Sequence, residues 1–513
     1  MRIEDYLRRS TERVAGKTAL VVGGRRLSYA ELSSLSDGLA VSLLAGGVTK
    51  GDRVLVFMEN RWEAAVSIFA VWKAGAVLCP INPSTKAGRL AFIIGNCKPA
   101  AIIAQGKLAG IVVEATAAVP VAEIILTSPS AALEKARDFA ACLVVAPLPA
   151  LAGLSDDDLA MIIYTSGSTG EPKGVMMGHA AMDAAAGSII SYLEKTADDI
   201  ILNVLPMAFG YGLYQLLMSV RLGATLILEK SFAFPYAIFE RIREERVTGF
   251  PLVPTMAAMI AQMEGLDPGL FASLRYMTSA AAPLPIAHIE RLRAFFPHVR
   301  LFSMYGQTEC TRAAWLPPAE LDRRPGSVGL AIPGTQATVV DEAGHEVAAG
   351  TVGELVVSGP HLMRGYWENP QATQRALRPD PAGGDLRLHT GDLFTIDAQG
   401  FLTFVARKDD IIKSRGEKVA PKEVEAVLHA LGGVSQALVI GVADPVLGQA
   451  IRALVVASDP QLCERDVIRH CARHLEDYMV PKSVEFRTFL PVTDTGKVSR
   501  RLAAAIPDQT GRS

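Results

Sequence analysis

The sequence predicts an α/β protein with a large N-terminal domain of parallel α/β sheets plus a β-rich subdomain, and a small α+β C-terminal domain. Three observations support this class. Short apolar runs alternate with helical patterns through the first part of the 513 residues, as in parallel sheets with crossover helices. After Gly334 the apolar runs become shorter and denser, which indicates a β-rich segment. After Arg407 the chain restarts with a helix, which indicates a separate small domain.

Each element of the large domain follows from a local pattern. Buried strands are short runs rich in valine, isoleucine and leucine, whereas helices are longer stretches with apolar residues every three or four positions. We predict strands at 54–57, 76–78, 161–163, 225–228 and 250–253, and helices at 61–74 and 235–246. The β-rich subdomain is predicted from strands at 337–340, 353–357 and 401–405.

The small domain is predicted from the same kinds of pattern. We expect a helix at 421–431, strands at 437–442 and 451–456, and a helix at 463–475. The boundary is placed after residue 408, so that residues 1–408 form the large domain and residues 409–513 the small one. A chain of this length is ample for both cores.

Charge and composition exclude several classes of partner. The 51 basic and 53 acidic residues nearly balance, so no global field favours nucleic acid or an anionic membrane. The N-terminus alternates charges with no apolar block behind it, unlike a signal peptide. The most apolar region, 100–126, is interrupted by polar and charged residues and is unsuited to a membrane span. We therefore expect a soluble cytoplasmic protein that acts on a small molecule.

The six cysteines are scattered and form no C-x-x-C pair, which favours reduced thiols over a disulfide framework. One group has spacing that suggests a metal site: Cys463, His470, Cys471 and His474. Arginines lie among these residues, and their charge opposes the binding of a metal cation. A solvated basic helix face is therefore favoured over a zinc site.

The stretch 164–174, directly after an apolar run, has the composition of a phosphate-binding loop. Glycines let backbone N–H groups approach an anion, hydroxyl side chains add donors, and Lys173 adds a mobile positive charge. The stretch is not a P-loop, because Pro172 precedes the lysine and Gly174 follows it. A flexible Gly/Ser linker remains the alternative.

Further chemistry-bearing motifs follow in a definite order. The segment 305–309 combines a tyrosine, a glycine, a threonine and a glutamate, and Thr390-Gly391-Asp392 is predicted to place a carboxylate in a loop. Arg407 ends a predicted strand, and Lys497 follows a glycine near the C-terminus. Each residue alone could be a surface charge or a turn former. Their joint order favours one shared site.

These motifs, with 27–32 (LSYAEL), 73–76 (KAGA) and 495–497 (TGK), resemble the adenylate-forming superfamily of acyl-CoA synthetases, luciferases and peptide-synthetase adenylation domains. The resemblance covers nearly the whole chain and looks closest to free-standing ligases of small acids. It implies a two-step reaction. A carboxylate attacks the α-phosphorus of ATP bound with Mg²⁺ to give an acyl-adenylate and pyrophosphate, and a thiol then displaces AMP to give a thioester.

The resemblance also implies where the nucleotide binds. The β and γ phosphates are assigned to the loop residues Thr165, Ser166, Gly167, Ser168, Thr169, Gly170 and Lys173. Glu309 is expected to hold Mg²⁺ and Thr308 to donate to the α-phosphate, while Asp392 and Arg407 bind the ribose. Adenine is expected to stack on Tyr305, beside Gly306, with the opposing wall formed by Ala281, Ala282 and Pro283.

A mobile catalytic lysine is the further implication of the resemblance. Lys497 is expected to reach the substrate carboxylate and the α-phosphate when the small domain rotates, and Asp409 is the expected pivot. After rotation, Arg415, Gly416 and Glu417 are expected to face the thiol channel. Glycine there would allow close approach of a pantetheine arm.

The segment 206–215 matches the family's acid pocket, for which we expect Phe209, Gly210, Tyr214 and Ala281 as lining residues. Amino-acid-activating members carry an aspartate where this chain has Gly210. Because an ammonium buried without a counter-charge is costly, we expect an uncharged acyl or aryl acid.

Several alternatives about partners stay open. CoA is the first candidate for the thiol, and the phosphopantetheine of a separate acyl carrier protein is the second. A homodimer is a candidate assembly. A non-catalytic nucleotide sensor is disfavoured, since a binding module does not require both Lys173 and Lys497.

Overall fold

The computed structural model describes residues 1–166, 172–280, 284–380, 383–414, 417–444, 448–475, 477–492 and 498–505. It shows a mixed α/β fold with parallel sheets, a β-rich region and a small C-terminal α+β region, as predicted. Contacts divide the chain into two compact units. The first comprises Met1–Ala337 and Val357–Leu388, and the second comprises Thr338–Val356 and His389–Ser513.

The helices are distributed along the whole chain and many begin at a proline or a polar cap. They are α1 (Glu4–Val14), α2 (Tyr29–Ala45), α3 (Trp62–Lys73), α4 (Ala87–Cys97), α5 (Ala109–Thr116), α6 (His179–Leu193), α7 (Gly210–Leu222), α8 (Pro235–Glu244), α9 (Pro254–Ala261), α10 (Ile286–Phe295), α11 (Pro370–Ala376), α12 (Pro421–His429), α13 (Glu464–His474) and α14 (Arg500–Ala505).

The strands up to β14 are interspersed with helices, and those after β14 follow one another more densely. They are β1 (Thr18–Val22), β2 (Arg25–Ser28), β3 (Arg53–Phe57), β4 (Val77–Ile81), β5 (Ala101–Ala104), β6 (Glu123–Leu126), β7 (Arg137–Asp138), β8 (Leu159–Ser166), β9 (Pro172–Gly178), β10 (Ile200–Asn203), β11 (Thr225–Leu228), β12 (Gly249–Leu252), β13 (Tyr276–Ser279), β14 (Arg300–Tyr305), β15 (Ala314–Leu316), β16 (Leu330–Ala331), β17 (Gln336–Val340), β18 (Gly353–Ser358), β19 (Gly365–Tyr366), β20 (Leu377–Pro379), β21 (Leu386–Ile396), β22 (Leu402–Arg407), β23 (Ile412–Ser414), β24 (Glu417–Val419), β25 (Val434–Asp444), β26 (Gly448–Ala457) and β27 (Ser483–Phe486).

The first unit contains two large sheets. One has the strand order β16-β15-β14-β13-β12-β10-β11-β1-β2, and its central strands from β14 to β1 are parallel. The other has the order β19-β9-β8-β4-β3-β5-β6-β7, in which β9 and β19 form an antiparallel edge. Parallel strands place their carboxyl ends at one edge of the sheet, where ligands bind in open α/β folds. The segments after β10, β13 and β14, which include three predicted motifs, therefore start at one edge.

The β-rich sheet has the order β17-β18-β21-β20, with β22 paired to β21. In the C-terminal region, β24-β23-β26-β25 form a sheet with β27 added to β26. Its core is apolar, with Val424 and Leu428 of α12 and Val467 of α13 buried in one cluster with Val439 and Val455. This packing explains the amphipathic patterns from which the small domain was predicted.

Local sequence explains where one helix of the first unit begins and another ends. Ser28 caps α2 in a capping box with Glu31, which satisfies backbone N–H groups of the first turn. Helix α7 ends at Leu222, and Gly223 adopts the left-handed conformation that terminates many helices, with φ of 78°. Among the described residues, no helix is long and apolar enough to cross a membrane.

One sequence prediction about local structure was wrong. Thr390, Gly391 and Asp392 lie within β21 and not in a loop. Asp392 is paired with Arg407 across the β21–β22 ladder, and the Thr390 hydroxyl donates to the Leu355 carbonyl at 2.7 Å. Gly391 has φ of 69°, so the glycine accommodates a local distortion that its neighbours could not. Residues 390–392 have the composition of a turn, but the pairing of β21 with β22 places them in a strand.

Candidate active site

The predicted phosphate loop connects two antiparallel strands. Thr165 in β8 lies opposite Lys173 in β9, and the Thr165 hydroxyl contacts the Lys173 carbonyl at 3.5 Å. The intervening residues Gly167, Ser168, Thr169 and Gly170 lie outside the described residues, as does the side chain of Ser166. The described ends of the segment thus form a hairpin base that brings the threonine and the lysine side by side.

A tyrosine connects this hairpin with the predicted metal ligand. Tyr366 lies in the short strand β19, which pairs with β9. Its ring centroid is 5.3 Å from the Lys173 ammonium, and its hydroxyl donates to Glu309 Oε1 at 2.8 Å. Lys173 and Glu309, predicted from separate motifs, therefore meet on the two sides of one aromatic side chain. The sequence analysis missed Tyr366, because nothing in the local pattern distinguishes it from a core aromatic.

The segment 305–309 turns sharply after β14. Tyr305 is the last residue of that strand, and both Tyr305 and Glu309 are half-buried. A Cβ atom on Gly306 would lie 2.5 Å from the Thr311 carbonyl oxygen, so the close turn requires glycine. Thr308 is half-buried in the same turn. The predicted opposing adenine wall, Ala281, Ala282 and Pro283, lies outside the described residues.

In the second unit, the structure brings together the two residues predicted to bind ribose. Arg407 Nε donates to Asp392 Oδ1 at 2.8 Å, and Asp392 is only 3% exposed. The guanidinium is itself exposed, so the pair combines a buried acceptor with an accessible donor. This geometry suits recognition of vicinal hydroxyls, which both donate and accept hydrogen bonds.

Glu354 supports this pair and was not found from the sequence. It accepts from the Gly391 backbone N–H at 3.0 Å and forms an ion pair with Lys408 at 3.3 Å, and His389 lies 3.4 Å away. Burial alone would raise the pKa of Glu354, but the nearby His389, the hydrogen bond from the Gly391 N–H and the charge of Lys408 outweigh it and lower the pKa to about 2. The carboxylate therefore stays ionised and holds the backbone next to Asp392.

The predicted acid pocket lies where α7 begins. Phe209 is the N-cap of the helix, and Tyr214 is buried with its hydroxyl accepting from Thr311 at 3.3 Å. A Cβ atom on Gly210 would meet no atom within 4 Å, whereas one on Gly212 would lie 2.3 Å from the Pro206 carbonyl oxygen. Gly210 therefore faces open space and Gly212 packs tightly. Ala281, the remaining predicted lining residue, falls in a segment that the structure leaves undescribed.

The predicted catalytic lysine and most of the predicted thiol channel fall outside the described residues. These are Lys497, Arg415 and Gly416. The backbone of Asp409 forms part of a short 3-10 turn, Lys408–Asp410, but its side chain is not described. Glu417 begins β24 and is exposed, and β23 and β24 pair antiparallel with Ser414 opposite Glu417. The strands on either side of the predicted turn are therefore in place.

The donor chemistry around Glu309 fits a magnesium ion. Mg²⁺ prefers oxygen ligands and is commonly held by one or two carboxylates together with substrate phosphates. Glu309 is a carboxylate oriented by Tyr366, next to the lysine that flanks the phosphate loop. No cluster of three or more histidine, cysteine or acidic side chains suited to a resident metal occurs in the described part of the chain.

The thiol and imidazole group of α13 was predicted to be a solvated basic helix face. Cys471 is instead buried in the core of the C-terminal sheet, and His470 bonds the Val427 carbonyl at 3.1 Å. Cys463 is exposed and donates to Asp466. The helix is thus amphipathic, with the basic residues on one side and Cys471 in the core.

Family models and curated relatives match most of the chain. The family model described as "AMP-binding enzyme" matches residues 7–367, and the one described as "AMP-binding enzyme C-terminal domain" matches residues 423–497. The chain is 34% identical to a feruloyl-CoA synthase from Amycolatopsis sp, covering 94% of each protein. It is 30% identical to a long-chain-fatty-acid–CoA ligase from Salmonella typhimurium, covering 95% of this chain and 91% of the relative.

Among solved structures, a benzoate CoA ligase from Burkholderia xenovorans matches with a TM-score of 0.88 and 27% identity. The match covers 98% of this chain and 99% of the ligase. The fold, the family models and the relatives thus all indicate the same family. The chain belongs to the AMP-binding enzyme family, within the adenylate-forming superfamily, and is an AMP-forming acid–thiol ligase.

Proposed function

We propose that this protein activates a carboxylic acid without an α-amino group as its acyl-adenylate and then transfers the acyl group to CoA. The observation that carries the proposal is the meeting of Lys173 and Glu309 at Tyr366. A cation and a carboxylate suited to Mg²⁺, placed beside a hydroxyl-rich and glycine-rich hairpin, are the parts that phosphoryl chemistry needs.

The roles of the side chains follow from charge. Attack of a carboxylate on a phosphate brings two anions together, so positioning and neutralisation supply most of the catalysis. Lys173 binds the departing pyrophosphate, together with the donors of the hairpin from Thr165 to Gly170. Glu309 would hold Mg²⁺, which would supply further neutralisation of the phosphate charge, and Thr308 donates to the α-phosphate. Asp392 accepts from the ribose hydroxyls and Arg407 donates to the same sugar.

The second unit supplies the remaining groups of the proposal. Lys497 stabilises the charge that develops between the carboxylate and the α-phosphate. Rotation of the small domain about Asp409 then removes Lys497 from the site and brings the turn around Gly416 into its place. We place the moving boundary at residues 408 and 409, with residues 1–408 on one side and 409–513 on the other. Adenylation needs a closed site, whereas thioester formation needs an open thiol channel. These opposite requirements favour such an exchange.

The acceptor is proposed from the relatives. The feruloyl, long-chain-fatty-acid and benzoate enzymes are all named for CoA, and this agreement favours CoA over an acyl carrier protein. Their acids range from aryl to long alkyl, so they restrict the substrate only to the class of carboxylic acids. At Gly210, where the amino-acid-activating members carry aspartate, this chain offers no counter-charge to an ammonium.

An acid panel offered with CoA or a holo-carrier protein in parallel tests the proposal. We expect acyl-CoA to form with at least one acid, with MgATP consumed and AMP released in equal amounts. α-Amino acids should give no product. Thioester formed only on the carrier protein would overturn the choice of CoA, and turnover of an α-amino acid would overturn the assignment of Gly210.

A further inference from the structure

A buried arginine beside the acid pocket has a positive charge that the described residues do not balance. Arg312 is 5% exposed, and its Nε has no hydrogen-bond partner. It forms no ion pair within the described ranges, although other buried cations do. Lys73, for example, pairs with Asp37 at 2.7 Å, and Arg2 pairs with Asp158 at 2.9 Å. Burying a charge without an ionic partner is costly, so the position of Arg312 requires a reason.

Tyrosines surround the guanidinium but supply no counter-charge. The Tyr211 ring centroid is 5.2 Å from the Arg312 guanidinium carbon. Burial raises the pKa of Tyr192 to about 12 even though Arg312 lowers it, and burial also raises the pKa of Tyr211 and Tyr214. All three phenols are therefore neutral at physiological pH. The ring faces attract the cation weakly, as cation–π contacts do, without neutralising it.

The hydroxyl groups of these tyrosines have other partners as well. Tyr211 contacts Thr278 Oγ1 at 2.7 Å, Tyr192 donates to the Met304 sulfur at 3.1 Å, and Tyr214 accepts from Thr311. The rings are also fixed by packing, since Tyr192 stacks on Trp315 at 4.8 Å. Arg312 is thus held in a rigid aromatic setting, in which it interacts with the Tyr192 hydroxyl while its Nε has no hydrogen-bond partner and no described carboxylate pairs with it.

The position of Arg312 connects it with the substrate. Arg312 lies three residues after Glu309, at the carboxyl edge of the parallel sheet. Its guanidinium contacts the ring of Tyr211, which lies in the first turn of α7. That turn begins at Gly210, which faces open space. The guanidinium therefore lies beside the segment proposed to bind the acyl part of the acid, and not on the nucleotide hairpin.

We propose that Arg312 binds a second carboxylate on the substrate, so that the enzyme activates one end of a dicarboxylic acid and retains the other as a free anion. This inference rests on the proposed function and specifies its substrate class. A guanidinium offers a planar pair of donors that matches a carboxylate in bidentate geometry. Binding supplies the missing counter-charge, and the distal carboxylate undergoes no covalent change.

The proposal differs from the sequence-based expectation of an uncharged acid. The glycine at position 210 argues only against a positively charged substrate, whereas Arg312 argues for a negatively charged one. The sequence could not show this, because an arginine three residues after Glu309 is indistinguishable from a surface cation until its burial is known.

The test compares α,ω-dicarboxylic acids of graded length, alkyl and aryl, with their monoamides, which have the same shape and one charge fewer. Acid-dependent exchange of labelled pyrophosphate into ATP reports adenylation alone. For the best diacid we expect kcat/KM to exceed that of its monoamide by roughly a hundredfold or more, because a site built for a polar group rejects its isostere strongly. In Arg312→Met this ratio should fall to about one.

A matched control removes a different buried cation. Lys195 is buried beside the middle of α7, where its ammonium contacts Gln215 at 3.5 Å. Lys195→Met should keep the diacid preference of the wild type, which separates a specific effect of Arg312 from a general effect of buried charge. Arg312→Lys should give an intermediate ratio of diacid to monoamide kcat/KM, because an ammonium keeps the charge but lacks the planar pair of donors.

The outcomes separate the two proposals. Exchange with monoamides and monocarboxylic acids at rates equal to or above those of diacids would overturn the role of Arg312 while leaving the ligase intact. A diacid preference that persists in Arg312→Met would do the same. Because the wild-type comparison is decisive by itself, a misfolded variant would not leave the proposal untested. Absence of exchange with every acid would instead contradict the proposed function.

Discussion

The hydroxyl of Tyr366 provides a sharp test of how Glu309, the proposed metal ligand, is positioned. In the structure it donates to Glu309 Oε1 at 2.8 Å, while the ring lies against Lys173. Tyr366→Phe removes only the hydroxyl and keeps the ring. We predict that the variant requires a higher Mg²⁺ concentration for half-maximal adenylation, because Glu309 loses the donor that fixes its orientation.

The magnitude follows from the geometry. A hydrogen bond to a charged group contributes about 1.5–3 kcal/mol. Glu309 is half-buried, so water can replace part of the lost bond, which leaves a net loss of about 1–2 kcal/mol. Since each 1.4 kcal/mol is a factor of ten, the Mg²⁺ requirement should rise roughly five- to thirtyfold.

Pyrophosphate exchange measured across a titration of free Mg²⁺ at constant ATP gives this number. Tyr29→Phe is the matched control, since the Tyr29 hydroxyl donates to the Ala224 carbonyl at 2.6 Å, in contact with backbone and not with any predicted site residue. The control should lower thermal stability and leave the Mg²⁺ dependence at the wild-type value. In Glu309→Gln, further removal of the Tyr366 hydroxyl should have little additional effect, because the two groups act as a unit.

The reasoning is refuted if Tyr366→Phe and wild type share one Mg²⁺ titration curve. A rise in the ATP requirement at saturating Mg²⁺, without any change in Mg²⁺ dependence, would place Tyr366 at the nucleotide and not at the metal ligand.

Other predictions concern separate parts of the site. Asp392→Asn should raise the KM for ATP at least about tenfold, because an amide cannot replace a carboxylate that accepts charged and hydroxyl donors; an unchanged KM would remove it from the ribose site. Gly212→Ala should lower the unfolding free energy by about 1–3 kcal/mol through its clash with Pro206, whereas Gly210→Ala should fold normally, as thermal melts will show. Lys497→Ala should slow adenylation roughly a hundredfold or more yet still convert preformed acyl-adenylate to thioester; equal loss in both steps would contradict domain rotation.

Much of the fold could be predicted because burial leaves a local trace in sequence. The run at 225–228 coincides with β11, and the runs at 161–163 and 54–57 lie inside β8 and β3. Such strands are apolar because both faces of a parallel sheet are covered. The strand through Gly391 could not be predicted from its local sequence, because it is defined by pairing with β22, a strand that follows later in the chain.

Some residues of the candidate site could likewise be predicted from the sequence, and others could not. Lys173, Glu309, Asp392 and Arg407 were predicted from ordered motifs, and the structure places them in two contact groups. Tyr366, Glu354 and Arg312 were missed, because their significance depends on a partner distant in sequence or, for Arg312, on the lack of one. A tyrosine, a glutamate and an arginine are common surface and core residues, and only their contacts distinguish them.

Acid-dependent exchange of labelled pyrophosphate into ATP, measured without any thiol, tests the central claim most directly. The account predicts exchange that requires MgATP and a suitable acid and that stops when the acid is omitted. Folded protein that shows no exchange with any acid of a panel spanning alkyl, aryl and dicarboxylic members would contradict it. So would exchange at the same rate with and without acid.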